Sequence, residues 1–187
     1  MGQSDIPLNA TGRKQAEEIG KKLRDVHFTA AFSSNMLRAR RTAELALLEK
    51  KIAVQTTKAL RERHFGRLEG KSWANQDKDL QMLWDKLANL TDQERKIFNL
   101  EKAENDEDMM RRFIPFIREI AVAYEGKNIL IVTHGGIMRV FLKHIGWLEE
   151  DKPFSVEIKN TSYIKLESDG VDFFVKDTFG VEKKSPS

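Results

Sequence analysis

Three short stretches carry polar residues suited to handling an anion, each where a helix or loop should begin. His134 stands in VTHGG, directly after the almost wholly apolar NILIVT. An imidazole there donates to a phosphoryl oxygen or acts as acid or base near neutral pH. Gly135 and Gly136 let the backbone approach a ligand closely. The bland alternative is a histidine that merely caps the next helix. Arg38, in SSNMLRARRTA, falls in the first turn of a helix that starts at a strand end, and its planar fork suits a phosphate bidentately. Arg40 and Arg41 point elsewhere around that helix, toward solvent. In LRERHFGRLEG, Glu62 and Glu69 share a glycine-bounded loop with Arg61, Arg63 and Arg67. A carboxyl beside bound phosphate sits in negative potential that keeps it protonated, and a leaving alkoxide needs such a proton donor. A salt-bridged loop without chemistry is the alternative here.

The remaining histidines draw no such reading. His27 ends a helix before an apolar strand, and His144 lies on the helix after His134; both are expected to be structural or exposed. No HExxH pattern or EF-hand loop occurs, so neither a metal nor another cofactor is expected. The sequence has no cysteine, which excludes disulfides, thiolate nucleophiles and cysteine metal sites.

The elements that must position these residues are read from periodicity. Thr11 is placed as the cap of a helix running to about Asp25, followed by the strand FTAAFSS (28–34). Ser33 or Ser34 then caps a helix over about 35–50. IAVQTTKAL (52–60) is a second strand leading into the glycine-bounded loop. The charged stretch 72–100 reads as helical, with Leu80, Leu83, Trp84 and Leu87 as its apolar stripe, and Trp73, Trp84 and Phe98 are expected in the core, with stacking on a ligand as the alternative. A further helix covers about 107–124. NILIVT (128–133) reads as a buried strand of a parallel sheet. A helix over 136–146 follows, then the strands SYIKLES and VDFFVKD joined by an Asp169-Gly170 turn. This order argues for an α/β fold, a three-layer α/β/α sandwich with a mostly parallel sheet. One domain is expected over 1–180, with 71–106 inserted as a helical cap and 181–187 as a disordered tail.

Composition agrees with a soluble globular chain: of 187 residues, 40% are hydrophobic and 33% charged. The 32 basic and 29 acidic residues nearly balance, and no basic stripe marks a nucleic-acid binder. No apolar run approaches the roughly 20 residues of a membrane span, and the N-terminus lacks a signal-peptide layout. A cytoplasmic protein without membrane or nucleic-acid partners is the expectation.

GQSDIPLNATGRKQA (2–16), SSNMLRARRTA (33–43), LRERHFGRLEG (60–70) and VTHGG (132–136) resemble, in order, the signature blocks of the histidine phosphatase, or phosphoglycerate-mutase-like, superfamily. The resemblance implies phosphoryl transfer through a phosphohistidine. It implies that Arg38, His134 and Gly135 bind the phosphoryl group, with Glu62 and His134 catalytic and Glu62 the proton donor. Gly2, Ser4 and Arg63 would line the substrate pocket. The family's opening Arg-His-Gly, which ends a first strand and supplies the nucleophile and another arginine, does not occur in the sequence. The sheet is therefore expected to lack that strand, and the chain to be an impaired, shortened version of an active enzyme, from a start codon placed too far downstream. The expected activity is a phosphatase acting on small phosphorylated metabolites. A phosphoglycerate mutase-type transferase and a non-catalytic phosphate-ligand binder are the alternatives, and the exposed sheet edges suit a homodimer.

Overall fold

The computed structural model describes residues 2–70, 102–148 and 156–183, with isolated positions between 82 and 98. Most of the expected cap at 71–106, including Trp73, Trp84 and the Leu80–Leu87 stripe, lies outside the described residues.

Helix α1 (Ala10–Lys22) is capped by Asn9, two residues before the expected cap Thr11, because the Asn9 side chain accepts from the Gly12 N–H at 2.8 Å. Strand β1 (Ala30–Ser34) is buried at every residue. Helix α2 (Leu37–Ala46) is capped from two sides: Ser34 Oγ accepts from the Met36 N–H at 3.3 Å, and Asp5 Oδ1 from the Leu37 N–H at 2.7 Å. The N-terminal loop is thereby tied to the helix that carries Arg38. Strand β2 (Val54–Thr57) is shorter than expected, since residues 58–60 already turn as 3-10 helix. Helix α3 (Asp106–Ala123) opens on a capping box between Asn105 and Asp108. Strand β3 (Ile129–Val132) and helix α4 (Gly135–His144) follow. The chain ends in an antiparallel hairpin of β4 (Val156–Ser168) and β5 (Phe173–Lys183). β4 starts earlier than the SYIKLES run, and residues 181–183 of the expected tail close β5 by pairing with residues 156–158.

The central sheet has the order β2-β1-β3, all parallel. Alternation along the strands builds the layers. Ala30 and Phe32 of β1, with Ile129 and Ile131 of β3, face a core formed with Phe113, Ile117, Ile137 and Phe141 of α3 and α4. Ala31 and Leu130 face the opposite side, against Phe28 and Leu47 near the ends of α1 and α2. The hairpin joins this body through side chains: Phe113, Phe141 and Phe173 meet edge-to-face at 5.4 and 5.5 Å, linking α3, α4 and β5. The chain is thus a mixed α/β protein whose central sheet is mostly parallel.

One expectation fails instructively. The apolar strand β3 was expected to be buried, yet each of its four residues stays partly exposed. The cause is topological. β3 pairs with β1 along one edge only, and the hairpin forms a separate two-stranded sheet. Between them lies a cavity of about 2190 Å³, lined by Ile129–Thr133 on one side and Ile158–Glu167 on the other. Small-molecule sites occupy roughly 300–1,000 Å³, so this space exceeds what a metabolite fills. In a parallel pair alternate residues turn their N–H and C=O groups to opposite neighbours. Amide exchange along 129–132 should therefore alternate between slow and fast residues; uniform protection would mean that the second edge is also paired.

Candidate functional site

The cavity reaches the carboxyl end of β3, where it is lined by Thr133 and His134, and ligands collect at such strand ends in open α/β sheets. Arg38, Glu62 and His134, from three distant stretches, line it together with Gly2, Arg63, Gly135 and Gly136. The N-terminal loop brings the first two into register. Arg38 donates through Nη1 to the Ser4 carbonyl at 2.8 Å and through Nη2 to the Gly2 carbonyl at 2.7 Å. Gln3 donates to the Glu62 carbonyl at 2.9 Å and accepts from Arg61, which also donates to Asn35 at 2.7 Å. Glu69 holds the loop from beneath: Oε2 accepts the N–H groups of Gln3 and Ser4 at 2.8 and 3.1 Å, and Oε1 that of Phe65 at 2.7 Å. Gly2 has φ +51°, and a Cβ there would sit 2.5 Å from Glu69 Oε1, so this approach requires glycine.

Glu62 reaches across to the start of α4. Its Oε2 accepts the Gly136 N–H at 3.0 Å, and its Oε1 the Arg63 N–H at 2.8 Å. The carboxylate thus rests on a helix N-terminus, where exposed N–H groups and the helix dipole favour negative charge. A Cβ on Gly136 would lie 2.2 Å from Glu62 Oε1, which accounts for the second glycine of the motif.

His134 occupies the residue before α4, but its side chain makes no capping hydrogen bond. The capping alternative is therefore excluded. Its ring is 8% exposed, and Nε2 is buried with no hydrogen-bond partner. A buried nitrogen left without a partner is costly, and such atoms gather where a ligand supplies the missing contact. Burial, reinforced by the nearby Arg38 and Arg112 charges, pushes His134 down to about 3. The imidazole is neutral near pH 7 in this state. Of the two expected roles, acid or base near neutral pH is disfavoured by desolvation beside two cations, and donation to a phosphoryl oxygen fits the neutral ring. The Arg38 guanidinium is likewise lowered by burial, against the pull of Glu62, Asp5 and Glu69.

Other expected residues are placed as follows. Ser4 belongs to the loop on Glu69 and offers its carbonyl to Arg38. Arg63 lines the cavity, but its guanidinium is occupied by the Glu104 carbonyl at 2.9 Å and by an ion pair with Asp106. Arg40 and Arg41 are exposed and pair with Glu44. Gln3, Asn35, Glu69, Glu104, Arg112 and Arg139 belong to the site's surroundings and were not singled out as site groups from sequence. Among the described residues, no three acidic or histidine side chains group as a metal site, and no helix is long and apolar enough to cross a membrane.

The His134 shift has a consequence for stability. Its folded value of about 3 lies below its ordinary 6.5, so between these values the unfolded chain binds a proton that the folded chain refuses. Stability should fall as pH drops from about 6.5 toward 3, and His134→Asn should flatten that slope in urea titrations; equal slopes would contradict the burial argument. Gly136→Ala should displace the Glu62 carboxylate. The expected readout is a lost downfield shift of the Arg63 amide, whereas an unchanged resonance would show that the carboxylate is held elsewhere.

Comparison with known proteins gives the family. Residues 1–179 match the family described as histidine phosphatase superfamily, branch 1. A 2,3-bisphosphoglycerate-dependent phosphoglycerate mutase of Streptococcus pyogenes is 32% identical over 196 aligned residues, covering 90% of this chain and 85% of the relative. Among solved structures, Bacillus stearothermophilus YhfR superposes with a TM-score of 0.80 at 27% identity, over 94% of this chain and 85% of the other. A phosphoglycerate mutase from Bacillus anthracis gives 0.73 at 27%, over 94% and 83%. A mycobacterial glucosyl-3-phosphoglycerate phosphatase, solved with inorganic phosphate, shares the fold with a TM-score of 0.78 at 22% identity, over 95% and 89%. The family match over residues 1–179 and the 32% identical relative show that the chain belongs to the histidine phosphatase superfamily, branch 1.

Proposed function

We propose that the cavity takes the phosphoryl group of a small phosphomonoester and serves its hydrolysis through a phosphohistidine, with the acceptor histidine carried on a strand seated between β3 and β4. The observation that carries this reading is the meeting of Arg38, Glu62 and the unpartnered His134 around one cavity at a helix N-terminus. The open edges of β3 and of the hairpin, with a space too large for a metabolite between them, support the added strand.

The division of labour follows from the geometry. The Arg38 guanidinium, already oriented by two backbone carbonyls, turns its remaining N–H groups to phosphoryl oxygens. Neutral His134 donates one N–H to the same group, and the dianion's field offsets the two cations that depress it. The incoming imidazole attacks phosphorus in line. The ester P–O bond breaks, its electron pair goes to the leaving oxygen, and Glu62, entering the step as the carboxylic acid beside the bound dianion, delivers its proton there. Water, losing a proton to Glu62, then attacks the phosphohistidine; the P–N bond breaks and inorganic phosphate departs.

A mutase reading is favoured by one specific observation, the mutase relatives at 32% identity. The two part at the second step, where a mutase passes the phosphoryl group to another substrate hydroxyl.

The test is p-nitrophenyl phosphate hydrolysis by the chain alone and by the chain with an apolar strand ending in Arg-His-Gly joined ahead of it. The chain alone should bind phosphate without turnover. The completed chain should turn over, and His134→Ala should lower its rate by about 10²-fold or more, as for loss of a preorganised donor. No hydrolysis by the completed chain would overturn the proposal, and exchange between substrates without net phosphate release would replace it with the mutase.

A further inference from the structure

The carboxyl of Glu62 sits on a loop, and loops alone position chemistry loosely. The restraint comes from behind the site. Arg112, on α3, lies 20% exposed against Glu104, itself 22% exposed. Its Nε and Nη2 donate to the two Glu104 oxygens at 2.8 and 2.9 Å, a bidentate fork. Nη1 donates to the Ala59 carbonyl at 2.8 Å, and Nη2 also to the Glu62 carbonyl at 3.2 Å. These acceptors use four of the five N–H groups a guanidinium carries. Arg112 is thus committed to protein, unlike Arg38, and is no ligand for substrate.

Glu104 extends the grip. Its Oε2 accepts the His64 N–H at 2.9 Å, and its own N–H donates to the His64 carbonyl at 2.8 Å. Burial alone would raise its carboxyl, but the bonds from Arg112 and His64 outweigh this and hold it below its ordinary value. Residues on both sides of Glu62, and its own carbonyl, are therefore fastened to one ion pair at the start of α3.

We infer that the Arg112–Glu104 pair is the positioning device for Glu62, setting where its carboxyl meets the α4 N-terminus. Its chemical significance rests on the reading of Glu62 as proton donor. Arg112 acts through the loop backbone and touches no reacting atom. Replacing it leaves the Glu104 charge half-buried and unpaired, and frees the 59–64 segment to move.

The amides of Gly136 and Arg63, which donate to the Glu62 carboxylate, report its position directly. In nitrogen-15 spectra of the full chain at neutral pH, both amide protons should respond to the carboxylate with a downfield shift. Arg112→Gln should abolish that response, while the remote Gly12 and Asp172 amides, held by Asn9 and Asp169, stay unchanged. Should that variant fail to fold, Arg112→Lys keeps the charge but loses the fork, and should abolish the same two responses. Unaltered Gly136 and Arg63 amide shifts overturn the inference. So does a change spread equally to Gly12 and Asp172, which would mark a merely structural residue. None of these readouts needs turnover. A chain completed by the Arg-His-Gly strand that never hydrolyses phosphate esters, while Arg112→Gln still abolishes both responses, would sink the functional reading and leave the positioning intact.

Discussion

The site depends on one contact, the Glu62 carboxylate resting on the Gly136 N–H at the start of α4. It joins a loop to a helix 74 residues further along the chain, at the point where His134 leaves β3. Remove it and the pieces lose their common reference. The loop at 62 would swing free of α4, the N-terminal segment held by the Glu62 carbonyl would lose an anchor, and Arg38, which grips that segment, would lose its alignment. A helix N-terminus suits this role because its first N–H groups have no partner within the helix and therefore seek an anion. The carboxylate satisfies that demand in the present state, and a phosphoryl group would draw on the same field.

The electrostatics around this contact are arranged in two layers. The inner one holds Arg38 and a neutral, partnerless His134, both desolvated. The outer one matches its charges: Arg63 with Asp106, and Arg112 with Glu104. Positive charge is thereby left available toward the cavity and neutralised behind it. An arrangement of this kind favours an anion at one place rather than spreading attraction over the surface.

The residues of the proposed site were more legible in the sequence than their supports. Arg38, Glu62 and His134 each follow a strand and stand beside a serine, loop or glycine signal, so type and position agreed. Gln3 and Asn35 lie inside the same blocks, but neutral amides carry no comparable signal. Glu104 and Arg112 were illegible because, apart from each other, the partners they hold around Glu62 lie 40 to 53 residues away, and NDEDMMRR reads as a solvated, capped helix start. His134's depressed titration was equally hidden, since it follows from burial and from Arg112. In the fold, the order of strands and helices was readable, but the exposure of β3 was not. An apolar run announces a strand that wants burial, and only the topology reveals that one of its edges faces an open space. β4 was read short because its register breaks between Ile158 and Tyr163, which interrupts the alternation that marks a strand.

The central claim is that Arg38 and His134 serve a single anion. A double-mutant cycle on inorganic phosphate affinity, measured by calorimetry on the chain with Arg38→Ala, His134→Ala and both, tests it most directly. Each single change should weaken binding by about 10-fold, or about 1.4 kcal/mol. The double change should weaken it by clearly less than the product of the two, because contacts to one ligand are coupled. Independent, fully additive effects, or no effect of either change, would contradict a shared site.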